Sequence, residues 1–295
     1  MISIDPKEVK TNIMHSYLLG AVAPRPIAFA STVDKNGNPN LSPFSFFNVF
    51  SAKPPIVVFS PSRSGRTGQH KNTFENLKEV PEVVINVVNY ALVQQTSLAS
   101  TEYAKGVNEF IKAGLTPIES KLVKPFRVKE SPAQLECKVK QIIELGPEGG
   151  AGNLVICEVV MMHVSEDILD ANSHIDPQKI DLVARMGANF YCRASGNAVF
   201  EVQKPIANIG IGVDQIPEAI RLSKILTGNN LGQLGNVEKL PETVDINEFK
   251  KIALQDIFIK FGTNKPELEQ HLHQKAKELL DKGNVVDAWK TLLAS

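Results

Sequence analysis

The sequence predicts a mainly β protein of the α+β class that ends in a helical extension. Three observations predict this. Apolar runs of strand length dominate up to about residue 170. They are too irregularly spaced for alternating βαβ units. After Pro205 the apolar residues change to a helical period.

The first strand is expected at Ile27–Val33, with Ile27, Phe29, Ser31 and Val33 on one face and Ala28, Ala30 and Thr32 on the other. The next seven residues, DKNGNPN, carry an Asn36-Gly37 pair, a strong turn signal because both residues tolerate positive φ. The run from Leu41 then returns antiparallel and makes a hairpin. Ile56–Ser60 is a further strand, entered through two prolines, and Glu82–Asn89 reads as a buried one. Short helices are expected near Thr73–Leu77, at Ala91–Ser100 and at Glu109–Ala113. Two long strands, AQLECKVKQIIEL and NLVICEVVMMHVSED, flank the flexible connection GPEGGAGN.

In the tail, Leu268, Leu272, Ala276 and Leu279 share one helical face. Asn264 can cap that helix, with Glu267 reaching back and Pro266 tolerated in the first turn. Another helix is expected at Pro217–Leu226, stopped by Gly228, and a last one carries Trp289. The domains expected are residues 1–207 and 208–295. The apolar face of the tail needs a partner, and the barrel's outer surface or a second subunit is expected to supply it.

The 295 residues are 43% hydrophobic and 22% charged, enough for a sizeable core. Lys+Arg and Asp+Glu are both 32, which lacks the basic excess usual in a nucleic-acid partner. Cys137, Cys157 and Cys192 form no C-x-x-C pair, so a reducing compartment is expected rather than a disulfide framework. With no apolar signal core and no membrane-length apolar run, a cytoplasmic location without a membrane partner is expected.

Three stretches carry candidate chemistry. In PRPIAFASTVDKNGNPNLSPFSFFN, Ser31, Thr32, Ser42, Ser45 and Asn48 offer donors and acceptors, while Pro24, Pro26, Phe44 and Phe46 offer apolar surface to a planar ring. The same residues fit a plain strand pair with polar outer faces. In SPSRSGRTGQHKNT, Arg63, Arg66, His70 and Lys71 can pair with phosphate, and Ser62, Ser64 and Thr73 add hydroxyls. Lys71-Asn72-Thr73 opens a helix, whose N-terminus attracts an anion. A solvated basic loop is the other reading. In DLVARMGANFYCRASG, Arg185 and Tyr191 flank a glycine turn, and they fit equally a surface-paired arginine and a core tyrosine.

These pieces, with PPIVVFSPSR, KNT and VINVV between them, resemble in order the flavin reductase-like, FMN-binding split-barrel family over about residues 15 to 195. The resemblance implies a six-stranded split β-barrel with helical insertions, usually a homodimer with FMN near the subunit interface. It places Arg25, Pro26, Ser31, Thr32, Ser42, Phe44, Ser45 and Asn48 around the flavin, and Ser62, Arg63, Lys71 and Thr73 at its phosphate. It implies reduction of FMN by NAD(P)H, with electrons passing to free flavin or another acceptor. Arg185 and Tyr191 are then positioning residues, because the flavin carries the redox chemistry and hydride transfer needs no side-chain acid or base. Two departures stand out. Asn72 replaces an acidic residue, and the histidine loop linked with pyridine nucleotides has only His174 as a faint counterpart. The alternatives are an FMN electron carrier of the flavoredoxin kind, reduced by a protein partner, or a barrel for another planar ligand such as a B6 vitamer or haem.

Other motifs carry little. GPEGGAGN lacks the Gly-Lys-Ser/Thr ending of a phosphate loop. His271 and His273 lie two apart on a helix and do not share a face for metal. Cys137 and Cys157 lie in strands as small core residues. The serines lack a nucleophile elbow.

Overall fold

Residues 1–205 and 209–294 are described by the computed structural model, which divides into two compact units, Met1–Phe200 and Glu201–Ser295. The boundary expected at 207/208 lies outside the described residues.

The first unit is built on one antiparallel sheet. Its strands are β1 (Ala28–Val33), β2 (Pro39–Phe44), β3 (Phe47–Ala52), β4 (Pro55–Phe59) and β5 (Glu82–Val87). Two-residue strands β6 (Pro117–Ile118) and β7 (Arg127–Val128) form a separate ladder. The long β8 (Ala133–Glu144) and β9 (Asn153–Val164) return to the main sheet, and β10 (Val183–Arg185) pairs with β11 (Tyr191–Arg193). The main sheet has the order β2-β1-β5-β8-β9-β4-β3.

That order contains the reason for the barrel. β2 and β3 lie at opposite ends of the sheet, yet only Ser45 and Phe46 separate them in sequence. A flat sheet cannot satisfy both conditions, so the sheet curls round on itself. Counted as one bent strand, β2–β3 gives the six strands expected of a split barrel. Register shifts at Val49/Ser51, Glu136/Cys137 and Val139/Gln141 add the local bending that such curvature needs.

The first hairpin forms as its turn residues dictate. Asp34 accepts from the backbone N–H groups of Asn36 and Asn38, both at 2.9 Å, and Gly37 takes φ +85°. Every residue of β1 is buried. Ala28 and Ala30 join the apolar cluster that includes Val57, Phe59, Ile85 and Val155, while Ile27 and Phe29 join a second cluster with Leu92, Phe110 and Val128. The period of two thus places small side chains in one core and larger ones in the other.

The helices of this unit are α1 (Thr11–Ala21), α2 (Asn72–Glu79), α3 (Val93–Leu98) and α4 (Glu109–Ala113). α2 buries Phe74 and Leu77, and Leu77 joins the Ala28–Ala30 cluster. α1 buries none of its residues and exposes Ile13, Tyr17 and Leu18.

The second unit is helical: α5 (Glu218–Arg221), α6 (Gly228–Gly235), α7 (Thr243–Ala253), α8 (Gln255–Phe261), α9 (Lys265–Leu280) and α10 (Val285–Leu292). α9 is capped as expected, with Asn264 accepting from the Glu267 N–H and donating to its carboxylate. The helix expected at Pro217–Leu226 is only four residues long. Ser223 ends it by accepting the N–H groups of Ile225 and Leu226. Gly228 opens the next helix instead of stopping the previous one, because Thr227 and Asn230 form a reciprocal capping box around it.

The apolar face of α9 also departs from expectation, because helices of its own unit cover it. Leu268 and Leu272 pack with Leu254 and Ala294, while Ala276 and Leu280 pack with Leu234, Ala288, Trp289 and Leu292. Trp289 is 1% exposed, and its indole N–H donates to the Leu234 carbonyl at 3.1 Å. The unit therefore owns a core.

Candidate functional site

The loop between β4 and α2 is shaped by its own backbone. Ser64 N–H donates to the Gln69 carbonyl at 2.9 Å and Gly68 N–H to the Ser64 carbonyl at 2.8 Å. Asn153 N–H donates to Ser60 Oγ at 3.0 Å, and the Asn153 amide donates to the Pro61 carbonyl at 2.7 Å. A Cβ at Gly152 would meet Ser60 Oγ at 2.9 Å, which explains a glycine in GPEGGAGN without any phosphate role.

The cations of this loop fall into two groups. Arg63 is an anchor: its guanidinium donates to the Gly68 carbonyl and to Glu144, both at 3.2 Å. Glu144 also accepts from Lys78 at 3.1 Å and lies 3.6 Å from His70. His70 stacks on Phe74 with ring centroids 3.9 Å apart. Lys78, more than the other partners, holds the Glu144 carboxyl below its usual range. The second group is Lys71 and Arg66, which both bond Glu102, one to each carboxylate oxygen. Lys71 is also the residue preceding α2, and no side chain caps that helix. Ser62 and Ser64 are half-buried nearby in sequence.

Thr32 and Thr73 meet in a buried polar network. Thr73 Oγ1 donates to Asn40 Oδ1 at 2.8 Å and Thr32 Oγ1 to the same oxygen at 3.4 Å. Asn76 donates to Thr32 Oγ1 at 3.2 Å, and Asn40 donates to Glu109 at 3.0 Å. Glu109 also accepts from Leu41 N–H at 3.0 Å, and burial pushes its carboxyl up. The network ties the start of α2 to the first hairpin.

The hairpin residues divide between the two faces of the sheet. Ser42 pairs with Ala30 and Phe44 with Ala28, so both share the Ala28–Ala30 face. Phe44 lies 5.7 Å from the Phe59 ring. Ser31 pairs with Leu41 on the opposite face and does not join them. Its fully buried Oγ has no partner among the described residues. Asn48 is exposed on β3 and accepts from the neighbouring Val49 N–H at 2.8 Å.

Arg25 organises the remaining pieces. It is 6% exposed and donates to the Leu19 and Val22 carbonyls, both at 2.6 Å, and to the Met186 carbonyl at 3.0 Å. Its Nε reaches Ser45 Oγ at 3.5 Å, at the bend between β2 and β3. Its backbone pairs with that of Arg185. Burial, then the nearby Arg185 charge, lowers its pKa. One side chain thus closes the end of α1, holds the β10–β11 hairpin and reaches the strand bend. Pro26 follows it, exposed. Arg185 lies over the Tyr191 ring at 4.7 Å, so these two form a pair at the surface and Tyr191 is not a core residue.

Glu102, Glu144, Asn40 and Glu109 gave no signal in the sequence. Each acts on a partner more than 30 positions away. Cys137 and Cys157 are buried as expected, and burial pushes the Cys137 thiol up to about 12. Among the described residues no cluster is suited to a metal ion and no helix is long and apolar enough to cross a membrane.

A curled sheet closed by one bent strand, with a cation-bearing loop leading into α2, defines a split-barrel domain. Residues 20–179 match the family described as flavin reductase like domain, and the chain belongs to that family. A protein of Aquifex aeolicus is 34% identical over 197 residues, which are 66% of this chain and 97% of that protein. Nitrilotriacetate monooxygenase component B from Bacillus cereus is similar in structure, with a TM-score of 0.64 and 31% identity over 68% of this chain and 98% of that one. A split barrel domain protein from Shewanella frigidimarina gives a TM-score of 0.58 at 25% identity, covering 69% of this chain and all of that one (100%). The helical unit Glu201–Ser295 lies beyond the family match.

Proposed function

We propose that the barrel binds FMN and that NAD(P)H reduces it, with electrons passing on to free flavin or another small acceptor. The observation that carries this reading is the convergence of Lys71 and Arg66 beside the uncapped start of α2. Two cations and free helix N–H groups suit one terminal phosphate. Family membership supplies the ring: bound flavin accepts a hydride and passes electrons on.

In this reading Lys71 and Arg66 hold the phosphate, and Arg63 shapes the loop. Thr32 and Thr73 brace the hairpin against α2. Ser42, Phe44, Ser45 and Asn48 supply contacts to the ring and ribityl chain, and Arg25 fixes the bend that carries Ser45. Arg185 and Tyr191 position the nicotinamide. A homodimer is part of the proposal, supported by apolar side chains left exposed on α1 and on β3, where Val49 and Phe50 are 65% and 67% exposed.

The second reading is an FMN electron carrier reduced by a protein partner. The faint counterpart of the histidine loop motivates it: His174 has a side chain 80% exposed and lies 3.9 Å from Asp170, which leaves the pyridine-nucleotide contact of that loop without a clear match. Turnover of NADH or NADPH with free FMN as acceptor separates the two. Steady oxidation of either nucleotide supports the reductase. Bound FMN that neither nucleotide reduces supports the carrier.

A further inference from the structure

Glu102 is the only carboxylate in the ion pairs of Lys71 and Arg66 among the described residues. It comes from the segment after α3, which is 31 residues from Lys71 and 36 from Arg66. Its Oε1 takes Lys71 and its Oε2 takes Arg66, so each oxygen of the group is engaged by this loop. The bond to Lys71 first, and that to Arg66 next, hold the Glu102 carboxyl below its usual range. The carboxylate stays ionised at neutral pH and competes with any other anion there.

We propose that Glu102 is an autoinhibitory placeholder, a carboxylate that occupies the anion site of this loop and must be displaced when a phosphate monoester binds. The inference rests on the FMN reading above. A carboxylate offers two oxygens and one negative charge. A phosphate monoester offers three oxygens and close to two charges at neutral pH. The exchange is therefore favourable but opposed, and Glu102 weakens phosphate binding without touching the ring. Glu102 is partly exposed, with 45% of its side-chain surface accessible, and can swing into solvent at small cost. Once displaced it faces like charge on the phosphate and stays out.

The contacts are those of exposed ion pairs, so the effect is modest. Removing the charge in Glu102→Gln is expected to tighten FMN by about threefold to tenfold at low salt. Riboflavin, which lacks the phosphate, is expected to bind both proteins alike. Added salt shrinks the difference, because it screens an exposed pair.

The test is titration of full-length wild type, Glu102→Gln and Glu102→Ala with FMN and with riboflavin, read by quenching of flavin fluorescence at two salt concentrations. Tighter FMN in both variants, with riboflavin unchanged, supports the placeholder. FMN that binds wild type and variants equally, or binds the variants more weakly, overturns it and leaves the FMN reading standing. Equal tightening of FMN and riboflavin also overturns it, since Glu102 then acts on the ring. Failure of all three proteins to bind FMN overturns the FMN reading itself and the placeholder with it.

Discussion

Thr73, at the start of α2, donates its hydroxyl to the Asn40 side-chain oxygen on β2 at 2.8 Å, inside a buried network. Asn40 in turn donates to the buried Glu109 carboxylate. The loop that bears Lys71 is therefore fixed to the hairpin that bears Ser42 and Phe44 by these polar atoms as well as by Leu77 of α2 in the Ala28–Ala30 cluster.

Asn40→Leu removes the amide that serves Thr73, Thr32 and Glu109; Thr73 loses its acceptor, while Thr32 keeps Asn76 and Glu109 keeps the Leu41 N–H. A buried group stripped of its partner costs about 1–3 kcal/mol, more if charged. The barrel's unfolding free energy is expected to fall by about that amount, with a correspondingly lower denaturant midpoint. Thr73→Val, which loses one donor, is expected to cost less than Asn40→Leu. Denaturant melts read by circular dichroism decide the order.

Lys71→Ala and Arg63→Ala are expected to differ. Among the described residues the Lys71 side chain is tied to Glu102 alone, so its loss is expected to weaken FMN by about tenfold, the scale of one charge-assisted bond, with riboflavin and the melting temperature little changed. Arg63 holds the Gly68 carbonyl and Glu144, so its loss weakens FMN and lowers the melting temperature together. Paired flavin titrations and thermal melts separate the two signatures.

The helical unit is expected to have its own pH dependence. His273 is buried, lies 2.8 Å from Ser223 Oγ, and faces Glu269 one turn earlier on α9. Burial pulls its pKa below the usual 6.5, more than Glu269 raises it. The unfolded chain therefore takes up a proton at about pH 6.5 that the folded chain takes up only at lower pH. Stability is full above that value and declines as pH falls below it. Trp289 is the sole tryptophan and lies in this unit, so its fluorescence reports on this unit's unfolding. His273→Gln is expected to flatten the decline between pH 6.5 and 5.

Residues 201–295 are expected to fold when expressed alone, because α9 buries its apolar face against its own neighbours. A cooperative thermal transition with buried tryptophan emission bears this out. A fragment with exposed-tryptophan emission and no transition contradicts it.

Signals carried by neighbouring residues were legible in the sequence. The turn at Asp34–Asn38, the period of β1 and the Asn264 cap each depend on atoms a few positions apart, and each formed as expected. The family was legible from the order of several short pieces. The bend at Ser45–Phe46 was not, because it follows from closing the sheet, which no local pattern encodes. Gly228 misled because glycine stops one helix as readily as it starts another, and the Thr227–Asn230 box decided. The loop at Arg63–Lys71 was legible as cationic. Its division between Glu144 and Glu102 was not, since both carboxylates arrive from distant segments.

Identification of the flavin is the most direct measurement. Purified protein, reconstituted with excess flavin and desalted, is heated, and the released ligand is identified by mass. FMN in stoichiometric yield, with a bound visible spectrum bleached by NADH or NADPH before heating, is the expected result. Recovery of FAD in preference to FMN, or of no flavin at all, would contradict an FMN barrel.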